Sequence, residues 1–184
     1  MAQKRISKDI IVHGATEMIE EMGYGNFSLH ELAYRLGVKP SSLYNHMKNL
    51  EDLKKAISLC AIEQLQNVVH KAGEGKEGKE ALVSIAIAIR KFAKTNPELF
   101  KTVFILSANE GGMELERLID KPLAEFTLAP NDAKHFIRAY SAAVFGYIQL
   151  ENLGYFKNAT GTDASFIAMV ALLVASLTPA KKVN

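Results

Sequence analysis

A short stretch from Lys39 to Lys48, KPSSLYNHMK, combines hydroxyl, amide, imidazole and ammonium side chains. Ser and Asn side chains can hydrogen-bond to the edges of bases, whereas Tyr, His and Lys side chains can reach phosphate oxygens. Between residues 32 and 50 the chain also carries three basic residues, Arg35, Lys39 and Lys48, and it carries no acidic residue there. These residue types in this pattern predict contact with double-stranded DNA.

The elements around this stretch must position it. Proline is favoured at the first position of a helix, so Pro40 predicts a helix over residues 40–47. Two turns of helix are marginal in water, so neighbouring elements must hold this one. Gly37 permits a turn before it, and Ser28 with Glu31 forms the capping-box pattern that begins the preceding helix.

A longer helix comes first in the chain. Ser7 can cap its start, Gly23 ends it, and its apolar residues recur at the three- and four-residue intervals of one helix face, at Ile11, Ala15, Met18 and Met22. Three helices, of which the last two are joined by a glycine-containing turn, form the layout of a helix-turn-helix DNA-binding unit. The first 48 residues therefore read as one such domain.

The remainder of the chain is helical in its apolar spacing and shows no alternating strand pattern. We predict a long helix over residues 49–70, with one buried stripe at Leu53, Ile57, Cys60, Gln64 and Val68. Further helices are predicted over residues 79–95, 97–107, 112–128 and 131–153, and Thr162 and Asp163 begin a last one. Pro122 is expected to kink or break the helix over residues 112–128. The predicted fold is all-α, with a three-helix domain at residues 1–48 and a C-terminal helical bundle at residues 49–184.

Composition limits the class of protein. The 184 residues are 48% hydrophobic with a net charge of +2, which suits a folded domain and excludes a histone-like polycation. A single cysteine, Cys60, excludes an internal disulfide and any multi-cysteine metal site. The N-terminal residues lack the apolar core of a signal peptide, so an intracellular, cytoplasmic protein is expected. No nucleophile, base and orienting group lie together, and we predict no enzyme activity, metal or cofactor.

The last two predicted helices are apolar nearly all round. Residues 139–150 and 164–180 contain no charged side chain, and helices of this kind must be buried. A membrane span is disfavoured, because these runs are short of the roughly 20 strongly apolar residues that a bilayer needs. We predict instead a homodimer in which residues of about 131–153 and 163–178 from two copies form a four-helix interface.

The segment FSLHELAYRLGVKPSSLYNHMKNLEDL at residues 27–53 resembles the TetR family of bacterial one-component repressors. The shared pattern is a capped helix, Leu-Ala, a Leu-Gly-Val turn, Leu-Tyr-x-His and a Lys before the fourth helix. The sequence departs from it at Met47, where Phe is usual, and at Leu50, where a phosphate-contacting Lys is common. Lys48 is expected to take that role in this sequence. A second segment, AVFGYIQLENLGYF at residues 143–156, is similar to a subgroup with a Trp or His-Gly pair, although Phe145 replaces the His.

The resemblance implies a transcriptional regulator, expected to be a repressor, that binds a palindromic operator as a homodimer. The residues expected to contact DNA are Ser28, Lys39, Pro40, Ser41, Ser42, Tyr44, Asn45, His46 and Lys48. An all-α interaction or ligand-binding protein that has lost DNA binding is the alternative.

The resemblance further implies that a small-molecule effector binds the C-terminal domain and releases the DNA. Aromatic residues at helical spacing are more often plain core, and most of those in this chain are expected to be core. Those that could line a pocket among helices four to eight, with one methionine, are Phe92, Phe100, Phe104, Met113, Phe126, Tyr140 and Phe145.

Overall fold

A computed structural model describes residues 6–106, 110–112, 114, 116–156 and 161–180. In this part of the chain the helices are α1 (Lys8–Met22), α2 (Leu29–Leu36), α3 (Pro40–Leu43), α4 (Leu50–Gly73), α5 (Gly78–Thr95), α6 (Pro97–Thr102), α7 (Glu116–Leu123), α8 (Pro130–Asn152) and α9 (Thr162–Ala175). No strand is found within these ranges beyond one isolated bridge between Phe126 and Pro179. The all-α prediction is confirmed.

The chain packs as two units. The first comprises residues 1–64 and 96–113, and the second comprises residues 65–95 and 114–184. The division does not follow the predicted domain boundary at residues 48 and 49, since the first part of α4 and all of α6 belong to the first unit. The boundary was drawn at the end of the helix-turn-helix layout, and it stays a prediction.

In the first unit, α1 and α2 begin and end at the residues that the sequence indicated. The Ser7 hydroxyl accepts a hydrogen bond from the Ile10 N–H at 3.3 Å, and Gly23 follows the last turn of α1 with φ +87°. The buried face of α1 includes Ile11, Ala15 and Met18, but Met22 is 38% exposed. The predicted stripe is therefore correct except in its last turn.

The buried stripe of α4 differs from the predicted one. Fully or nearly buried residues recur at intervals of four, at Leu53, Ile57, Ala61, Leu65 and Val69. Cys60, Gln64 and Val68 lie beside this stripe and are half-buried. The prediction was wrong there because it placed the next buried residue three positions after Ile57, at Cys60. In the structure the next residue of the buried stripe lies four positions after Ile57, at Ala61. Cys60 is accordingly a partly accessible thiol that accepts a hydrogen bond from the Gln64 amide at 3.3 Å.

The second unit is built around α5. Its buried residues include Leu82, Ile85 and Ile89, and α5 packs against α7, α8 and α9. The fully or nearly buried residues of α8 and α9 that complete this core are Tyr140, Val144, Ile148, Phe166, Val170 and Val174. None of the helices in the described ranges is both long and apolar enough to cross a membrane.

Three predicted helices are shorter in the structure. The helix predicted over residues 40–47 ends at Leu43, and the one predicted over residues 97–107 ends at Thr102. The helix predicted over residues 112–128 is Glu116–Leu123, which ends one residue after Pro122. The expected kink or break at Pro122 therefore lies one residue before the observed end, and the proline leaves the last turn one backbone donor short. Residues 107, 113 and 115 of these predictions lie outside the described ranges.

Candidate nucleic-acid interface

The turn between α2 and α3 sets the direction of residues 39–48, the segment predicted to contact DNA. Gly37 adopts the left-handed conformation, with φ +69° and ψ +34°, which glycine reaches without steric cost. Its N–H donates to the Tyr34 carbonyl at 3.0 Å, and the Val38 N–H donates to the Ala33 carbonyl at 3.0 Å. These bonds satisfy the end of α2 and turn the chain directly into Lys39 and α3.

Helix α3 is a single turn, and the segment after it is fixed by two buried side chains. Leu43 is 0% exposed and Met47 is 2% exposed. The His46 and Met47 N–H groups both donate to the Leu43 carbonyl, at 2.9 and 3.0 Å. Tyr44 and Asn45 therefore lie in a hydrogen-bonded turn rather than in the predicted second turn of helix.

The predicted DNA-contacting residues of this segment lie together on its outer side. All are exposed or half-buried, namely Lys39, Pro40, Ser41, Ser42, Tyr44, Asn45, His46 and Lys48. Tyr44 keeps 55% of its surface exposed. The arrangement presents two hydroxyls, one amide, one phenol, one imidazole and two ammonium groups on one side of a fixed backbone.

Ser28 lies apart from this segment, at the start of α2. Its hydroxyl accepts a hydrogen bond from the Glu31 N–H at 3.2 Å and donates to the Glu31 carboxylate at 2.9 Å. The predicted capping box is present, with the hydroxyl instead of the backbone N–H bonded to the carboxylate. Because this hydroxyl is engaged in the cap, contact of Ser28 with DNA stays a prediction.

The turn from residues 39–48 into α4 carries two linked hydrogen bonds. The Asp52 N–H donates to the Asn49 side-chain oxygen at 2.8 Å, and the Lys48 N–H donates to the Asp52 carboxylate at 3.0 Å. The sequence predicts that the long helix begins here at residue 49, with Glu51 and Asp52 as its first two acidic residues. It did not indicate which of the two acidic residues would bond to Lys48.

The basic charge of this region is smaller than the sequence count suggests. The Arg35 guanidinium makes two hydrogen bonds to the Glu21 carboxylate of α1, at 2.5 and 2.6 Å, and lies 3.9 Å from the Glu17 carboxylate. Hydrogen bonding to Glu21 raises the pKa of Arg35, and the same contact lowers the pKa of Glu21. Arg35 thus links α2 to α1. Lys39 and Lys48 are the basic residues within residues 39–48.

A groove of about 470 Å³ lies within the second unit, between the end of α4, α5 and α7. Its floor is apolar, formed by Val69, Ala81, Ile85, Leu118 and Pro122. Polar and charged residues form its rim, among them Gln66, Asn67, His70, Arg117, Lys121 and Glu125. A concave site with an apolar floor and a few polar groups is typical of small-molecule binding.

The aromatic residues considered for a pocket do not line this groove. Phe92, Phe100, Phe126 and Tyr140 are buried, Phe145 is half-buried, and Phe104 is 51% exposed. Phe100 and Phe104 make an edge-to-face pair at 5.6 Å in the first unit. Met113 lies outside the described residues. The structure thus divides this set between two units, and its role in ligand binding stays a prediction.

Comparison with known families identifies both parts of the chain. A model described as "Bacterial regulatory proteins, tetR family" matches residues 11–57, which contain α1, α2, α3 and the start of α4. A second, described as "Tetracyclin repressor-like, C-terminal domain", matches residues 82–173, half of the chain. The chain belongs to the TetR family. It is a helix-turn-helix transcriptional regulator, as the motif in residues 27–53 indicated.

Curated relatives carry the same description. An uncharacterised helix-turn-helix transcriptional regulator of Mycobacterium tuberculosis is 26% identical over 180 residues, which cover 94% of this TetR-family chain and 82% of the relative. A helix-turn-helix transcriptional repressor of the same organism is also 26% identical over 180 residues, covering 95% of this chain and 68% of the relative.

Solved structures share the fold. A protein of unknown function from Rhodococcus sp. RHA1 superimposes with a TM-score of 0.79 at 18% identity, covering 96% of this chain and 98% of the other. TetR from Acinetobacter baumannii AYE superimposes with a TM-score of 0.69 at 22% identity, covering 93% and 96%. The TetR-family fold therefore extends over nearly the whole chain.

Proposed function

We propose that this TetR-family regulator represses transcription by binding a palindromic operator as a homodimer, and that a small-molecule effector releases it. The observation that carries the proposal is the outward set of polar side chains on residues 39–48, held by the buried Leu43 and Met47. We assign base-edge contacts to Ser41, Ser42 and Asn45, because short hydroxyl and amide groups suit that role.

The phosphate contacts are assigned to the longer side chains of the same segment. Tyr44, His46, Lys39 and Lys48 can reach phosphate oxygens, which fixes the register of the protein on the duplex. Repression, rather than activation, is supported by the Mycobacterium tuberculosis relative that is described as a repressor. A chain acting on bacterial DNA would work in the cytoplasm.

A homodimer through α8 and α9 is supported by what these helices leave exposed in the single chain. In α9, Leu172 is 76% exposed and Ile167 is 45% exposed, and Ala168 and Ala171 between them are also exposed. In α8, small exposed residues follow one face at Ala139, Ala142 and Gly146. Exposed apolar faces of this kind mark association sites, and small residues allow two helices to approach closely.

We assign effector binding to the groove between α4, α5 and α7. Its apolar floor and polar rim suit an amphipathic small molecule, and its volume falls in the range of such sites, roughly 300–1,000 Å³. An effector that lowers operator affinity must have its own affinity lowered by operator DNA by the same factor, since coupling between two binding sites is reciprocal. A coupling of about 1–3 kcal/mol is sufficient for a useful response.

Selection from a pool of random double-stranded DNA tests the proposal. The expected product is a palindromic sequence with half-site centres about one helical turn apart, roughly 34–36 Å, because two α3 segments related by a two-fold axis enter successive major grooves. The affinity for that sequence should fall steeply with salt, the log–log slope steepening by about 0.9 for each phosphate neutralised. Failure to enrich any sequence, with a salt-insensitive residual affinity, would favour the alternative of a ligand-binding protein without DNA binding.

A further inference from the structure

The segment that carries the proposed phosphate contacts needs more support than α3 provides. Helix α3 has only four residues, and Tyr44, His46 and Lys48 all lie beyond its end. Leu43 and Met47 anchor the segment from the core side. After Met47 the backbone passes out to Lys48, whose side chain is exposed. The orientation of Lys48 therefore depends on what its own backbone N–H is bonded to.

That partner is the carboxylate of Asp52. The Lys48 N–H donates to Asp52 Oδ2 at 3.0 Å, and the Asp52 N–H is held in turn by Asn49 Oδ1 at 2.8 Å. The Leu53 N–H donates to the Asn49 carbonyl at 3.3 Å, which begins the regular bonding of α4. The two side chains thus close a ring of hydrogen bonds across the turn. A charged acceptor makes such a bond stronger than a neutral one.

The neighbouring acidic residue does something different. Glu51 lies 3.0 Å from the Lys54 ammonium, one turn along the same helix, and its side chain is 78% exposed. Asp52 is half-buried and its carboxylate bonds to the backbone instead of to a side-chain cation. Two carboxylates at adjacent positions of α4 therefore have the same charge but different contacts.

We propose that Asp52 is a positioning residue for DNA binding, whose carboxylate fixes the backbone at Lys48 and presents Tyr44, His46 and Lys48 to the phosphates as a preformed set. The proposal rests on the DNA-binding role of residues 39–48. It predicts a change in DNA affinity of opposite sign to the one that charge repulsion alone would give. A carboxylate close to the phosphates repels them, so its removal should strengthen binding, whereas removal of a positioning carboxylate should weaken it.

Two alanine variants separate these effects, with operator affinity measured on the full chain and the sequence enriched by selection. Asp52→Ala and Glu51→Ala each remove one negative charge from the first turn of α4. Glu51→Ala is expected to leave affinity unchanged or raise it by up to about threefold. Asp52→Ala is expected to lower it about tenfold, the effect of losing one hydrogen bond to a charged group. Its log–log salt slope should also become shallower by about 0.9, because a phosphate contact is lost.

A third variant separates the hydrogen bond from the charge and from stability. Asp52→Asn removes the same charge but keeps an oxygen that can accept from Lys48, so its affinity should return to within about threefold of the unchanged protein. Circular dichroism at the assay temperature must show each variant folded. If Asp52→Ala does not fold, Asp52→Ser takes its place, because the shorter serine side chain does not reach the position of Asp52 Oδ2, and the same loss of affinity with a shallower salt slope is expected.

The outcomes that overturn it are distinct from failure of the proposed function. If Asp52→Ala binds as tightly as Glu51→Ala, or if it weakens binding with no change in salt slope, Asp52 does not position the phosphate contacts. If the unchanged protein enriches no DNA sequence, the DNA-binding proposal itself is wrong.

Discussion

At the scale of single residues, the segment from Lys39 to Lys48 contains two kinds of side chain, buried apolar ones and outward polar ones. Leu43 and Met47 are buried and hold the backbone, while the polar side chains between and around them face outward. Phosphate contacts position a protein on DNA without reading its sequence, whereas base contacts specify the sequence. Some substitutions within these ten residues should therefore change the affinity for all DNA, and others should change the preferred base sequence.

Tyr44→Ala and His46→Ala should each weaken binding about fivefold to operator and to unrelated DNA alike, since each removes one phosphate contact of ~1 kcal/mol. Ser41→Ala and Ser42→Ala should instead alter the preferred base at one position of each half-site, with a discrimination of roughly 1–3 kcal/mol. Binding assays on operator, on single-base variants of it and on random DNA distinguish the two. Tyr155→Ala is a suitable control, because Tyr155 is 69% exposed but lies after α8 in the second unit. Unaltered affinity in all four variants would contradict the assignment.

The sequence identified most residues that act through their immediate neighbours in the chain. Ser7, Ser28 and Gly37 have the roles expected of them, because a cap or a left-handed turn is decided within four residues. The sequence could not separate Asp52 from Glu51, because both occupy the first turn of α4 and only the path of the preceding backbone decides which one reaches Lys48. Nor could it show that Arg35 is paired with Glu21, which lies 14 residues earlier.

At the scale of elements, an ion cluster joins three helices of the second unit. Arg90 of α5, only 8% exposed, makes two hydrogen bonds to the Glu151 carboxylate of α8, at 2.6 and 2.7 Å, and lies 2.7 Å from the Asp163 carboxylate of α9. Its guanidinium also lies 5.1 Å from the centre of the Phe166 ring. Hydrogen bonding to Arg90 lowers the pKa of Glu151 to about 2, despite the opposing effect of its burial.

Glu151→Gln should make the second unit less stable in a pH-dependent way. Because the folded pKa of Glu151 is lowered from 4.5 to about 2, its contribution is present above pH 4.5 and is lost as the pH falls toward 2. The contribution at pH 7 is roughly 3 kcal/mol. Denaturant unfolding at pH 7, 5 and 3 should show the gap between the two proteins closing with acid. Asp163→Asn is the matched control, with a smaller loss expected because the Asp163 side chain is 78% exposed. A gap that stayed constant over this range would rule out the lowered pKa as its source.

The elements themselves were predicted with uneven success, for a physical reason. Helix α5 was predicted almost to the residue, because its apolar face is strongly periodic and its ends are marked. Helix α3 was predicted one turn too long, because nothing in Tyr44 to Met47 forbids a helix. There the His46 N–H bonds to the carbonyl three residues back, at Leu43, as in a tight turn, and the sequence does not distinguish this bond from a helical one. The Arg90 cluster joins residues 61 and more positions apart, and helical periodicity carries no information about such pairs.

At the scale of the whole molecule, two-fold pairing through α8 and α9 is the proposed condition for operator binding. Leu172→Glu would place a charge on the exposed apolar face of α9, and the two-fold axis would repeat it on the partner. The dimer dissociation constant should rise at least about 30-fold, measured by sedimentation equilibrium, since a desolvated apolar contact near the centre of an interface is worth roughly 2 kcal/mol or more. Affinity for the palindrome should fall with it.

The control for this change is Ile10→Glu, which puts the same charge on a residue of α1 that is 43% exposed. It should leave the protein dimeric. A Leu172→Glu protein that also remained a dimer at nanomolar concentration would show that α9 does not form the interface.

The shortness of α3 affects how often its structure opens. A helix of one turn has few backbone bonds of its own, and one of them runs from the Ser42 N–H to the Lys39 carbonyl at 2.8 Å. Leu43 and Met47 are buried, so opening this turn would expose both apolar side chains to water. Opening is therefore rarer than the few backbone bonds alone would allow. Between encounters with DNA, the residues proposed to contact bases are kept in place by the two apolar side chains beneath them.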